Sequence, residues 1–194
     1  MAIRVNQYST TPSDNRDYSD KGSLVAIDLG QPTEKTLVFN WKEQLTSVTD
    51  ASTGQTHEYL CDVFGRRIQK VIDALGVAFG PIVTTFVHDP AGGVLEDLDG
   101  GGTPAANYVH YGPRLAGMPR IISMQRFGND TYYHCDDQQN VMATSDGAGN
   151  VVERWDYGDY GAVLDPVNLA AIAGNPSATG NPYYFGQQRY DPET

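Results

Sequence analysis

The sequence predicts an all-β protein made of consecutive antiparallel hairpins. Three observations lead there. Turn formers are abundant, with 21 glycines and 11 prolines in 194 residues, which suits many short strands better than long helices. Tyrosine outnumbers phenylalanine, 12 to 6. Runs such as Thr131-Tyr132-Tyr133-His134, Val151-Val152-Glu153-Arg154-Trp155 and Asn107-Tyr108-Val109-His110-Tyr111 carry the branched and aromatic residues that fit a pleated surface. The third observation is that the chain repeats itself.

Asp50 and Tyr59, Asp99 and Tyr108, and Asp146 and Trp155 are each nine residues apart. Ten residues before these aspartates stand Asn40, Asp89 and Asp136, preceded by Phe39, His88 and Cys135; five before them stand Leu45, Val94 and Val141. Residues 37–62, 86–112 and 133–159 are therefore read as three copies of one unit. Each copy is strand, turn, strand, turn, strand. An aspartate side chain caps its own turn, and a following glycine takes the positive φ that a hairpin needs.

In chain order, residues 1–35 are largely polar and read as a flexible arm or the remnant of a preceding repeat, with one strand expected within 23–29. Repeats follow over 36–131. Asp62-x-x-Gly65-Arg66 is a turn leading into Arg67–Ile72, where alternation puts Ile68 and Ile72 on one side. Residues 73–81 are a glycine-punctuated link. Gly100-Gly101-Gly102 is read as a hairpin tip and not a phosphate loop, because no Lys-Ser/Thr follows. Residues 108–124 read as turn-rich. The segment 132–194 is taken as a domain of its own; after Gly161 the sequence changes character, and the stretch 164–181 is expected to hold a helical turn or two or an insertion loop.

At this point the residues carry a resemblance. Tyr59-Leu60-Cys61-Asp62-Val63-Phe64-Gly65-Arg66-Arg67 resembles a YD repeat of the RHS (rearrangement hot spot) proteins, with Cys61 where tyrosine is usual. Tyr132-Tyr133-His134-Cys135-Asp136, Asp146-Gly147-Ala148-Gly149-Asn150, Trp155-Asp156-Tyr157-Gly158-Asp159-Tyr160-Gly161 and Phe185-Gly186-Gln187-Gln188-Arg189-Tyr190-Asp191-Pro192 resemble the RHS repeat-associated core. The signature positions are thus Tyr59, Asp62, Gly65, Arg66, Asp89, Tyr133, His134, Asp136, Asp146, Gly149, Tyr157, Gly161, Tyr190, Asp191 and Pro192. The resemblance implies hairpins joined into a curved β-sheet shell of a secreted or surface-delivered toxin or adhesion protein. It also implies two partners, neighbouring YD repeats and an enclosed C-terminal effector. The autoprotease motif that the family places farther on is not in residues 1–194, so neither protease residues nor a toxin activity are carried over, and the chain is expected to be no enzyme.

Composition narrows the rest. The formal charge is −11, which disfavours nucleic-acid binding through phosphate neutralisation. No apolar run is long enough to span a membrane, and the N-terminus shows no secretory signal. Cys61 and Cys135 could pair only under oxidising conditions; Cys61 aligns with His110 and Tyr157, so both cysteines read as packing substitutions. His57, His88, His110 and His134 lack close ligand spacing to each other or to the cysteines, and no metal or cofactor is expected. Cys135 and His134 are strand neighbours pointing to opposite faces, which disfavours a Cys–His nucleophile. Asp136, Asp159 and Asp191 could suggest an acid–base pair, but turn capping is the favoured reading. Trp41, Trp155, Tyr160, Tyr183 and Tyr184 could present flat faces to cell-surface glycans; the favoured reading is stacking across strands. Open sheet edges predict self-association.

Overall fold

The computed structural model describes residues 9–10, 14–73, 80–90, 92–111, 120–158, 161–172 and 176–191. It is all-β. Thirteen strands form one antiparallel sheet whose order follows the chain: β1 (Arg16–Tyr18), β2 (Leu24–Ile27), β3 (Lys35–Phe39), β4 (Leu45–Asp50), β5 (Gln55–Cys61), β6 (Arg67–Ile72), β7 (Ile82–His88), β8 (Val94–Leu98), β9 (Pro104–Tyr111), β10 (Arg120–Arg126), β11 (Asn129–Cys135), β12 (Val141–Ser145) and β13 (Val151–Arg154). A separate pair joins β14 (Asp156–Tyr157) to β15 (Val163–Leu164), and one 3-10 turn spans Phe185–Gln187. The chain divides into two compact units, Met1–Thr85 and Phe86–Thr194.

One five-residue turn recurs nine times among the described residues, starting at Ser19, Asn40, Asp62, Asp89, Asp99, Asp136, Asp146, Gly158 and Tyr184. In each, the first residue's N–H donates to the fifth residue's carbonyl, and the fourth N–H donates back to the first carbonyl. The fourth residue has positive φ: Gly22, Glu43, Gly65, Gly92, Gly102, Gln139, Gly149, Gly161 and Gln187. In all but the Gly158 and Tyr184 turns the first side chain also accepts the fifth residue's N–H, as Asp62 Oδ1 does from Arg66 and Asp146 Oδ1 from Asn150. This is the three-residue hairpin loop closed by a left-handed residue.

The same turn leaves a bulge. In six hairpins the register slips one residue beyond it, so Val25, Thr46, Ile68, Ala105, Met142 and Val152 are skipped by the pairing. A bulged residue resets the side-chain alternation. The expectation for β6 is corrected accordingly: Ile68 is the extra residue, while Ile72 stands opposite the buried His57 and shares its face. The Asp50 turn differs, since a four-residue loop closes Asp50 onto Gln55 with no bulge. It uses as many residues as a three-residue loop plus one bulged residue, which is why the nine-residue spacing persists.

The repeat copies begin on β3, β7 and β11, four strands apart. Their equivalent rings Tyr59, Tyr108 and Trp155 are 4%, 4% and 3% exposed, so the spacing marks the inward face. The polar stretch 1–35 contributes β1 beside the strand expected within 23–29, which is β2, because its Ser19 turn supplies the same closure as the aspartates. One further expectation is corrected: the passage read as turn-rich yields β10, whose alternation is hidden by a register shift between Ile121 and Ser123. Within 164–181, read as a helical turn or two or an insertion loop, Asp165 caps a single turn through the N–H groups of Val167 and Asn168, its carbonyl accepts the Leu169 N–H, and Ala171 bridges back to Leu164.

Candidate functional site: an arginine-centred plug

The second unit has a core that its sheet alone does not make. Phe86, Val94, Ala106, Tyr108, Ile121, Met124, Tyr133 and Val141 come from strands β7 to β12, and Tyr183 and Tyr184 from the C-terminal segment are buried with them. That segment, 176–191, lies against one face of the sheet. An up-and-down sheet buries a face only if something covers it.

At its centre is Asp97 on β8, 1% exposed. Arg189 meets it end-on, Nη2 donating to Oδ2 at 2.8 Å and Nη1 to Oδ1 at 3.1 Å, while the Tyr108 hydroxyl donates to Oδ2 at 2.7 Å. The guanidinium carbon lies 4.6 Å from the Phe86 ring centroid, 5.3 Å from Tyr183 and 5.6 Å from Tyr108. Bidentate geometry and aromatic faces suit arginine and not lysine. Burial opposes the charge on Arg189, but Asp97 and the ring hydroxyls outweigh it and hold the guanidinium well above its ordinary range. Burial raises the hydroxyls of Tyr108, Tyr133 and Tyr183, so all three stay protonated; Tyr108 and Tyr133 donate, while the Tyr183 hydroxyl accepts from Arg189 Nη1 at 3.4 Å.

Around this pair the plug is fastened at several points. Tyr183 stacks edge-on against Tyr108, Tyr133 and His110. Asn181, 2% exposed, accepts the Tyr133 hydroxyl and the Tyr183 N–H at Oδ1 and donates through Nδ2 to the Tyr183 carbonyl. Gln187 Oε1 accepts the Ile121 N–H at 2.8 Å, Gly186 N–H donates to Asn140 Oδ1, and Val141 N–H donates to the Tyr184 carbonyl. Glu153 on β13 receives the N–H groups of Ala178 and Thr179 and the hydroxyls of Ser177 and Thr179. Gly161 is required by packing as well as by its φ of 87°: a Cβ there would sit 2.9 Å from the Phe185 ring.

Of the expected site residues, Asp62, Gly65, Asp89, Asp136, Asp146 and Gly149 all lie in the recurring turns, where Arg66 also pairs with Asp62 at 2.6 Å. Tyr59 and Tyr133 are inward rings. His134 bonds Ser145 Oγ, Tyr157 donates to the Val141 carbonyl and packs on Phe185, and Tyr190 packs on Tyr184. Asp191 is the last residue of the plug segment; Asp159, Tyr160 and Pro192 lie outside the described residues. Trp155, Tyr183 and Tyr184 are 3%, 6% and 2% exposed, which fits stacking and leaves little of the ligand-facing alternative: among the described members Trp41 alone, at 78%, meets solvent. Trp155 instead stacks on Tyr184 and donates to the Pro176 carbonyl. Asp97, Asn181, Glu153 and Phe86 carried no signal in the spacing. Arg189 stands in the quoted core motif, yet nothing in the sequence names its partner 92 positions away.

His88 bonds the Gly92 carbonyl and His110 the Val94 carbonyl, while Nδ1 of the buried His57 has no hydrogen-bond partner. Among the described residues no His, Cys, Asp and Glu side chains gather into a metal-binding cluster. Cys61 and Cys135 are free thiols. Desolvation pushes the Cys135 thiol up, the opposite of what a nucleophilic thiolate needs. A cavity of about 190 Å³ beside the plug is lined by Gly92, Gly93, Val94, His110, Tyr183 and Arg189, below the volume of an ordinary substrate pocket. The arrangement is suited to holding a segment in place.

No protein-family model matches the chain. Similarity is found to the tRNA3(Ser)-specific nuclease WapA of Bacillus spizizenii, 22% identical over 98% of this chain, and to the tRNA(Glu)-specific nuclease WapA of Bacillus subtilis subsp. natto, 23% identical over 98%. Among solved structures, the TcdB2–TccC3–Cdc42 crystal structure superposes with a TM-score of 0.59 at 13% identity over 93% of this chain. The fold is shared with that toxin assembly. The chain spans 7% of the length of each WapA relative and 10% of the TcdB2–TccC3 chain.

Proposed function

We propose that this chain is a wall segment of an RHS-type toxin shell, with no catalytic step of its own, that encloses or presents an effector. The observation that carries the reading is the sheet: thirteen antiparallel strands, each beside its chain neighbour, with one recurring turn closing seven of the hairpins. Such a ribbon can be lengthened hairpin by hairpin without a new fold, as repeat architectures are. The fold likeness to a TcdB2–TccC3 assembly over 93% of the chain supports it, as does the distant similarity to WapA. In this reading the partners are adjoining YD repeats and the effector, and the setting is secreted or at the cell surface. The burial of Trp155, Tyr183 and Tyr184 removes most of the aromatic set on which a glycan-binding reading would rest.

The test is to isolate the native polypeptide containing this sequence from its source cells, measure its intact mass and image it by negative-stain electron microscopy after limited proteolysis. A hollow particle with a protease-protected internal fragment is the expected result. A solid particle with no protected fragment would overturn the reading.

A further inference from the structure

Three of the recurring turns, at 19–23, 40–44 and 62–66, follow alternate hairpins of the first unit and sit side by side at one end of its strands. Lysines lace them together. Lys21 Nζ donates to the Trp41 carbonyl at 3.4 Å and pairs with Glu43 at 2.7 Å; Lys42 Nζ donates to the Val63 carbonyl at 3.2 Å. Each lysine is the third residue of its turn and reaches the second residue of the next. The result is a firm ledge, and what it shows to solvent is apolar: Trp41 is 78% exposed, Val63 77% and Phe64 81%. Cations border both rings, with the Lys42 ammonium 5.1 Å from the Trp41 centroid and the Arg66 guanidinium 5.3 Å from that of Phe64. The turns of the second unit show Pro90, Asp137 and Gln138 at the matching places.

Exposed large side chains scattered singly need no explanation, but three on two adjacent tips do. Two rings of the ~150–250 Å² class and one valine fall short of the roughly 800 Å² a side that a standard protein interface buries. A bilayer surface asks for less. Aromatic side chains settle at the headgroup level, and lysine stems reach from there to the phosphates. We propose that this ledge docks on the surface of a phospholipid bilayer, with Trp41, Val63 and Phe64 entering the interfacial zone and the lysine side chains at the headgroup level. The inference does not depend on the shell reading.

The chain carries its own reporter, since Trp155 is buried and Trp41 is exposed. The full chain would be mixed with phosphatidylcholine vesicles, with and without phosphatidylglycerol, and followed by tryptophan emission and cosedimentation. The emission should shift to the blue with vesicles of either composition, and Trp41→Phe should abolish the shift. Phe64→Ser should weaken cosedimentation about tenfold, as losing one buried ring predicts. The Phe64 side chain is exposed, so folding, checked by circular dichroism, should be unchanged. The proposal is overturned if no vesicle shifts the emission, or if binding survives Phe64→Ser intact. It is equally overturned if light scattering without lipid shows an association that Trp41→Ser abolishes, which would make the ledge a protein contact.

Discussion

Replacing Arg189 by alanine should unfasten the plug. Asp97 is 1% exposed, and Arg189 supplies two of the hydrogen bonds on its carboxylate. Breaking a buried pair by removing one partner costs about 3–5 kcal/mol, because a charge stays behind unpaired. Loss of the guanidinium from the Phe86, Tyr183 and Tyr108 rings adds about 0.5–2 kcal/mol. Two features pull the other way: the arginine side chain keeps 23% exposure, so water reaches part of the site, and the Tyr108 hydroxyl still serves Asp97 at 2.7 Å. The expected loss is therefore about 3–4 kcal/mol. The assay is urea unfolding read from Trp155, whose ring lies on Tyr184 of the plug. A companion Asp97→Asn, Arg189→Met double variant should recover a large part of the loss, since no buried charge remains. A loss below about 1 kcal/mol for Arg189→Ala, or a double variant no better than the single one, would refute the argument that the pair is what holds the segment.

Two further outcomes follow from the turns. Gly149 has φ 85° with open space around its Cβ position, whereas Gly161 has φ 87° with the Phe185 ring 2.9 Å away. Gly149→Ala should cost about 1–2 kcal/mol from backbone strain alone, and Gly161→Ala measurably more, in the same urea assay. The second outcome concerns acid. Asp146 is held below the ordinary carboxylate range by the Asn150 side chain, Asp50 by Ser52, and Asp62 because Arg66 outweighs a desolvation effect of opposite sign. A carboxyl whose folded pKa is depressed contributes stability above its unfolded value, and loses it as pH falls through the folded one. The urea midpoint should therefore hold level from neutral pH to about 5 and fall below about 4, and a midpoint that rises on acidification would contradict the sign.

Much of the fold was legible because it is written in local chemistry. An Asx residue followed three positions later by glycine encodes the turn on its own, and the inward ring nine residues from Asp50, Asp99 or Asp146 marks the buried face. The sequence fell short where local signals were erased or long-range. Bulges at Ile68 and Ala105 break the alternation just after the turn that creates them. β10 begins with Arg120-Ile121-Ile122, where a register shift again interrupts the period. Glu43 and Gln139 occupy the left-handed position without being glycine, so those two turns carry only half the signature. The plug was not readable at all, since Asp97 looks like any strand carboxylate until Arg189 is brought to it.

The two units solve the one-faced sheet in unequal ways, and the difference bears on what each is for. In the second, a dozen buried apolar residues form one cluster, and the C-terminal segment supplies its cover. In the first, the buried apolar residues among those described are Ala26, Val48 and Tyr59, and every residue of β6 is only half-buried. At about 25 cal/mol per Å² of apolar surface removed from water, so small a core contributes little against the entropy of ordering six strands. The hydrogen-bonded ladder and its capped, lysine-laced turns therefore carry more of the first unit's stability than packing does. A ribbon of that kind has its order set by the backbone, and its faces stay available to a covering layer. The second unit supplies that layer itself, with its C-terminal segment over the core.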